Sequence, residues 1–463
     1  MIKKLRFKIK LKLTGITKYM FKKPDRKILT VILMAACFIS ANSKGYSQSR
    51  TTIKDVNEAL SLAMKNNSEI VKANIDKLIA EEKVSEVYSE NLVPTISLNS
   101  RYSRAFKKQV FDIFGEKIEI GSDNSFTNSI DVTEALPILG TPVFSGIRIA
   151  EYFLKTQQEN LIAVQDEVKY NVKRAYYGVQ LTKAVVDVNK LTLENAQNNF
   201  NTVSARYRNG VATEFDYLRS KVKFDNVRPE LSKAERNLEI SLKILSDAIG
   251  LKVNEAVDVT GELIYDSTEF TGNTDQIISK IAEENVAVRL LGIGKKINEE
   301  FVTVNKANYL PKLYLFGQYA IGTQENDGRP ISQYRFINTA NAGLGLTWDL
   351  NLFRNSYKVK QSELEVKKND EQIRDLKQKL RLRSESAIIA LIDAKERIST
   401  MKGTMRLAER SVELANASYS AGVLNQIDVQ DAELSLYNSR LGFQQSVYDY
   451  QVAKAELERL LGN

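Results

Sequence analysis

The chain of 463 residues carries 66 Lys and Arg against 57 Asp and Glu, a formal charge of +9, with no histidine and a single cysteine, Cys37. The missing histidines exclude Ser-His-Asp and Cys-His nucleophile systems and His-based metal sites, and one cysteine excludes a disulfide within the chain. Residues 1–27 hold eleven of the basic residues and one acid, Asp25, so the rest of the chain nets −1 and the basic balance gives no support for nucleic-acid binding.

That basic segment leads into the apolar run Ile28 to Ala41, too short to span a bilayer. A basic stretch, a short apolar stretch and then small residues predict a secretory signal over residues 1–47. Cys37 follows Met34-Ala35-Ala36, loosely like a lipoprotein cleavage box. Phe38 and Ile39 prolong the apolar run past it, which favours a cysteine lost on processing. No later segment reads as a membrane helix, so an exported chain of this kind is either soluble or inserted as a β-barrel.

The remainder is duplicated. Tyr207-x-x-Gly210-Val211-x-x-x-Phe215-Asp216 returns as Tyr419-x-x-Gly422-Val423-x-x-x-Ile427-Asp428, an offset of 212, and Asn91 to Pro94 matches Asn308 to Pro311 at 217. Such a period is too long for a solenoid and predicts two copies of one unit, helix–strand–strand–helix–helix. The first copy is expected over 48–250: a helix over 53–91 stopped before Pro94, strands over 94–106 and 125–136 around a loop at 107–124, and a helix hairpin over 147–250. A linker follows at 251–275. The second copy, 276–463, has strands over 311–322 and 338–350 and a hairpin over 352–461.

The strands alternate. Ile96, Leu98 and Tyr102 oppose Thr95, Ser97 and Asn99; Ile130 and Val132 oppose Ser129 and Asp131; Leu344 and Leu346 oppose Asn341 and Thr347. Their length suits tilted membrane strands, and Trp348 near a strand end suits an interfacial girdle, although a soluble half-buried hairpin has the same period.

The helices carry heptads instead. Val172, Val179, Val186, Leu193, Phe200 and Tyr207 form one stripe; Leu391, Ile398, Met405, Val412 and Tyr419 its counterpart; Val429, Leu436, Phe443, Tyr450 and Leu457 a third. A 3.5-residue period sustained this long specifies supercoiled rods. The last helix has a further stripe at Ile427, Leu434, Leu441 and Tyr448, as expected of a helix with a neighbour on each side. Pro229 is expected to kink its helix locally. Gly292-Ile293-Gly294-Lys295 lacks the spacing of a phosphate loop and reads as helix. Four strands cannot close a pore, and open edges are not tolerated in lipid, so membrane strands here require several chains to share one barrel.

On the duplication, the Pro-marked joints, the joint Pro142-Val143-Phe144-Ser145-Gly146 and the glycine tips, the chain resembles the TolC-type outer-membrane efflux channel family over nearly its whole mature length. The resemblance implies a homotrimer whose twelve-stranded barrel spans the outer membrane and whose helical coiled-coil barrel crosses the periplasm. The implied partners are a periplasmic adaptor protein, an inner-membrane transporter and outer-membrane lipid, with no cofactor. It also implies a periplasmic gate at Asp428, Asp431, Asp216 and Tyr419, and adaptor docking at the tips, Gly210 and Gly422 with Tyr207, Arg208, Asn209, Ser420 and Val423. Leu424 stands where the best-known family pattern has a latch arginine. Each aspartate also reads as an ordinary first-turn carboxylate at a helix N-terminus. The expected function is a passive exit duct for an efflux pump or type I secretion system. The competing readings are a trimeric coiled-coil adhesin or tether, and, more weakly, an enzyme using paired carboxylates.

Overall fold

A computed structural model describes residues 51–252, 255, 257–265 and 273–462. The expected signal sequence, Cys37 and much of the linker lie outside the described residues. The elements in chain order are β1 (Thr51–Ile53), α1 (Val56–Asn66), α2 (Ser68–Leu92), β2 (Thr95–Arg104), β3 (Gln109–Ile113), β4 (Glu116–Ile120), β5 (Asn124–Leu139), α3 (Val143–Arg208), α4 (Glu214–Ala248), β6 (Val257–Val259), α5 (Thr274–Glu284), α6 (Val286–Ala307), β7 (Lys312–Glu325), β8 (Ile337–Thr347), α7 (Leu352–Ser420) and α8 (Gln426–Leu461).

The single helix expected over 53–91 is two helices, preceded by a short strand that pairs with β6. Asn67 breaks it. Its backbone is extended, its side-chain oxygen accepts from Glu69 N–H at 2.9 Å, and its amide donates to the Ala248 carbonyl at 2.9 Å. Asn285 does the same in the second copy, accepting from Ala287 N–H at 3.0 Å and donating to the Leu460 carbonyl at 3.0 Å. Each asparagine therefore satisfies an orphan donor at the start of one helix and an orphan acceptor at the end of another. Gly292 and Gly294 lie within α6, as read.

Four strands form one antiparallel sheet in the order β2-β5-β7-β8, leaving β2 and β8 as edges. The pairings Ile96 with Val132, Leu98 with Ile130, and Leu315 with Leu344 put the apolar residues on one face. That face is open in the single chain: Leu98 is 77% and Leu344 66% exposed. The opposite face is polar, and Asp131 gathers donors there from Asn99 (2.7 Å), Ser129 (2.8 Å) and Gln318 (2.6 Å). β5 runs past Pro137 with its register broken between Ala135 and Leu139, consistent with a proline that cannot join a ladder. Trp348 falls one residue beyond β8 and donates its indole N–H to the Tyr309 carbonyl at 3.2 Å.

The expected loop at 107–124 instead contains the β3–β4 hairpin, turned by Phe114 (φ 57°) and Gly115 (φ 88°). Its base is fastened to the other strand-joining loop. Arg104 meets Asp327 at 2.7 Å, and Asp123 accepts from Asp327 N–H at 2.9 Å and pairs with Lys108 at 3.0 Å. The Asp327 N–H and then Lys108 hold the Asp123 carboxyl below its usual range.

The helices form two hairpins, α3–α4 and α7–α8, with α8 also packed against α3. α3 has 66 residues and α7 has 69; at 1.5 Å per residue each is a rod of roughly 100 Å. The heptad stripes are the buried seams: Val172, Val179 and Val186 on α3, Leu391 and Ile398 on α7, and Val429, Leu436, Tyr450 and Leu457 on α8. On the further stripe of α8, Ile427 and Leu434 are exposed. α3 begins at Val143, four residues before the expected start, and α4 continues as one helix through Pro229. Each copy builds its own core, one around Ile53, Leu245 and Val259 and the other around Ile281, Val447 and Leu457.

Candidate functional site

The hairpin tips farthest from the sheet carry the candidate residues. α3 ends in a left-handed glycine: Gly210 (φ 72°) donates to the Tyr207 carbonyl at 3.0 Å and Val211 N–H to the Arg206 carbonyl at 2.9 Å. α7 ends identically, with Gly422 (φ 76°) donating to Tyr419 at 3.1 Å and Val423 to Ser418 at 2.9 Å. This paired arrangement is a Schellman cap, which normally brings the residue after the glycine back onto the helix. Here Val211 and Val423 are 75% and 77% exposed. Tyr207, Arg208, Asn209 and Ser420 are exposed around them.

Five residues join the helices of each hairpin, and the chain re-enters helix through a capping box in each copy. Asp216 N–H donates to Thr213 Oγ1 at 3.1 Å while Thr213 N–H donates to Asp216 at 3.3 Å. Asp428 N–H donates to Asn425 at 3.2 Å and Asn425 N–H donates back to Asp428 at 3.2 Å. Both aspartates are therefore half-buried capping residues whose charge also complements the helix dipole. Thr213-x-x-Asp216 and Asn425-x-x-Asp428 are visible in the sequence as acidic variants of that motif. Asp431, one turn further on, has no part in the cap. It is exposed on α8 between two grooves, one with Arg219, Val222 and Tyr437, the other with Met401 and Thr404.

The expected gate residues Asp216 and Tyr419 have different partners within the chain. Asp216 bonds Thr213, whereas Tyr419 lies beneath Arg206, whose guanidinium carbon is 4.7 Å from the ring centroid. Sequence reasoning did not single out Arg206. The two hairpins are further joined by Gln426 donating to Asn199 at 3.3 Å and by the ion pair of Lys223 with Glu433. Inside the first hairpin Tyr207, Tyr217, Phe200 and Phe224 pack in succession, at centroid separations of 5.1, 5.7 and 5.9 Å. Leu424 is partly exposed and supplies no charge. Among the described residues no three metal-ligating side chains converge, and no helix is long and apolar enough to cross a membrane.

A duplicated rod-and-sheet unit with capped tips is shared with known proteins. The sequence profile of the outer membrane efflux protein family matches residues 59–251 and 281–463. The chain belongs to that family. It is similar to outer membrane protein TolC of Escherichia coli K12, 20% identical over 92% of this chain and 85% of the relative, and to TolC of Vibrio cholerae, 21% identical over 92% and 94%. The fold resembles the Campylobacter jejuni CmeC outer membrane channel, with a TM-score of 0.74 and 17% identity over 88% of this chain and 85% of that one. As an outer membrane efflux protein the chain is a transport duct of the outer membrane that extends into the periplasm. It is not an enzyme, and the adhesin reading finds no support. Proteins of this family work in tripartite efflux, with an adaptor and an inner-membrane pump.

Proposed function

We propose that three copies close edge to edge, β2 of one against β8 of the next, into a twelve-stranded barrel continued by a barrel of α-helices. The single observation that carries this is a four-stranded sheet with two bare edges and one exposed apolar face. Neither edge nor face is tolerated in lipid unless neighbours complete the ladder and the apolar side turns outward. The polar face, with Ser97, Asn99, Asp131 and Gln318, then lines the lumen. The tips at Gly210 and Gly422, with exposed Val211 and Val423, receive the adaptor. Three Asp431 side chains, backed by three Asp428, form the acidic periplasmic entrance and favour cations there. Cysteine labelling from the lipid phase tests the arrangement. Ile96, Leu98, Leu344 and Leu346 label and Thr95, Ser97 and Thr347 do not; equal labelling of both sets overturns it.

A further inference from the structure

Two side chains on the polar face of the sheet break its pattern. The β7–β8 register sets Tyr314 opposite Gly345 and Phe316 opposite Gly343. The glycines leave room for the rings to lie across the neighbouring strand: a Cβ on Gly345 would overlap the Tyr314 ring, and one on Gly343 would stand 3.0 Å from Phe316 Cζ. The two ring centroids are 6.2 Å apart, tilted by 44°. Aromatic-over-glycine pairs shield a strand, and that alone explains why the rings lie flat. It does not explain why a face otherwise made of polar, charged and small residues holds both rings at neighbouring levels.

The charges beside them are ordered. Gln318 follows Phe316 on the same face and donates to Asp131 at 2.6 Å, and Asn99 and Ser129 hold the same carboxylate. On the other side Lys312 precedes Tyr314, toward the helices. The aromatic pair therefore has a fixed anion toward its outer end and a cation toward its inner end.

We infer that Tyr314 and Phe316 form a luminal collar that binds planar aromatic cations in transit, the rings stacking on the cargo and Asp131 receiving its positive charge. Lys312 repels that charge and so orients the cargo with its cationic end outward. Three copies give six rings in two adjacent tiers with three carboxylates just beyond. This rests on the three-copy barrel with its polar face inward. Rings laid over the neighbouring strand leave the lumen open, so the collar delays cargo rather than sealing the pore.

The test records single channels of the full mature protein in planar bilayers, with ethidium added from the extracellular side and tetraethylammonium as the non-aromatic control. Ethidium produces discrete blocks in the wild type and tetraethylammonium at equal concentration does not. Tyr314→Ser with Phe316→Ser shortens the blocks about tenfold or more, and Asp131→Asn shortens them while leaving the rings in place. Conductance without ethidium shows that each variant assembles. Equal block of the wild type by both cations overturns the collar whatever the variants do, as do unchanged block lifetimes in a conducting double variant. A wild type that never conducts overturns the barrel reading itself and the collar with it.

Discussion

Arg206 of the first hairpin lies over the ring of Tyr419 of the second, 4.7 Å from its centroid, and so joins the two tips of one chain. The contact falls where the repeat is broken in use: Tyr207, the counterpart of Tyr419, stacks instead on Tyr217 within its own hairpin. With Leu424 uncharged, this cation–π contact, the Gln426–Asn199 bond and the Lys223–Glu433 pair are the polar ties across the tips among the described residues. Arg206→Ala removes about 0.5–1 kcal/mol at a half-exposed site. Spontaneous openings in single-channel records rise a few-fold and Arg206→Lys falls between; unchanged opening would show that the contact does not restrain the tips.

The acidic entrance is tested with asparagine rather than alanine, because Asp428 is part of a capping box. Asp428→Asn with Asp431→Asn keeps a side chain able to accept from the helix N-terminus, so stability changes by about 1 kcal/mol or less. Block by multivalent cations applied from the periplasmic side is lost and cation preference falls. Identical block in both proteins would place these residues away from the pore.

Gly422→Ala meets open space, so its whole cost is the left-handed backbone, about 1–2 kcal/mol. Trimers still assemble, and the distorted tip loses coupling to the pump. Export that continues undiminished in cells producing normal amounts of the variant would refute tip docking.

Two glycines that end equivalent helices should differ. Gly250 (φ 77°) would set a Cβ 2.5 Å from the Asn66 backbone, whereas at Gly462 (φ 75°) the nearest atom is Asp166 Oδ2 at 3.8 Å. Gly250→Ala therefore adds a backbone clash to the roughly 1–2 kcal/mol of strain that both substitutions share. Thermal unfolding followed by circular dichroism shows the lower midpoint for Gly250→Ala; equal midpoints contradict the packing at Asn66.

Arg148 at the start of α3 grips Glu300 of α6 through two bonds, 2.6 and 2.9 Å. The guanidinium holds the Glu300 carboxyl below its ordinary value of 4.5, against the opposing effect of burial. A carboxylate with a depressed folded pKa adds stability above that ordinary value and loses it as pH falls through the lower one. Arg148 is 45% exposed, which limits the pair to about 1 kcal/mol. Glu300→Gln lowers the unfolding midpoint at pH 7 and has less effect at pH 3; an equal loss at both would remove the charge from the explanation.

The rods were legible because a heptad seam repeats its signal every turn or two: Val172 to Val186 and Leu391 to Ile398 are buried as their spacing required. The sheet was legible from alternation, and the tips from two glycines 212 residues apart. The breaks at Asn67 and Asn285 were not, because each depends on a single residue in otherwise helix-forming sequence, with its partner near the far end of another helix. The β3–β4 hairpin was hidden by a turn built on Phe114, a bulky residue at positive φ where Asn-Gly would have announced it. At the candidate site the residues were readable but their directions were not. Arg206 reaches Tyr419 across the two hairpins, and no sequence pattern pairs them.

The bare edges of β2 and β8 have a genetic consequence on the three-copy reading. No chain can finish its own ladder, so every pore is a committee whose weakest member decides. A chain with a proline in β8 can still offer an intact β2 edge to a healthy neighbour and so draw it into an assembly that cannot close. When such an allele and the wild type are expressed equally and mix at random, roughly one trimer in eight is wholly normal. Substitutions at these strand edges should therefore behave as dominant alleles, while losses of the whole chain behave as recessive ones.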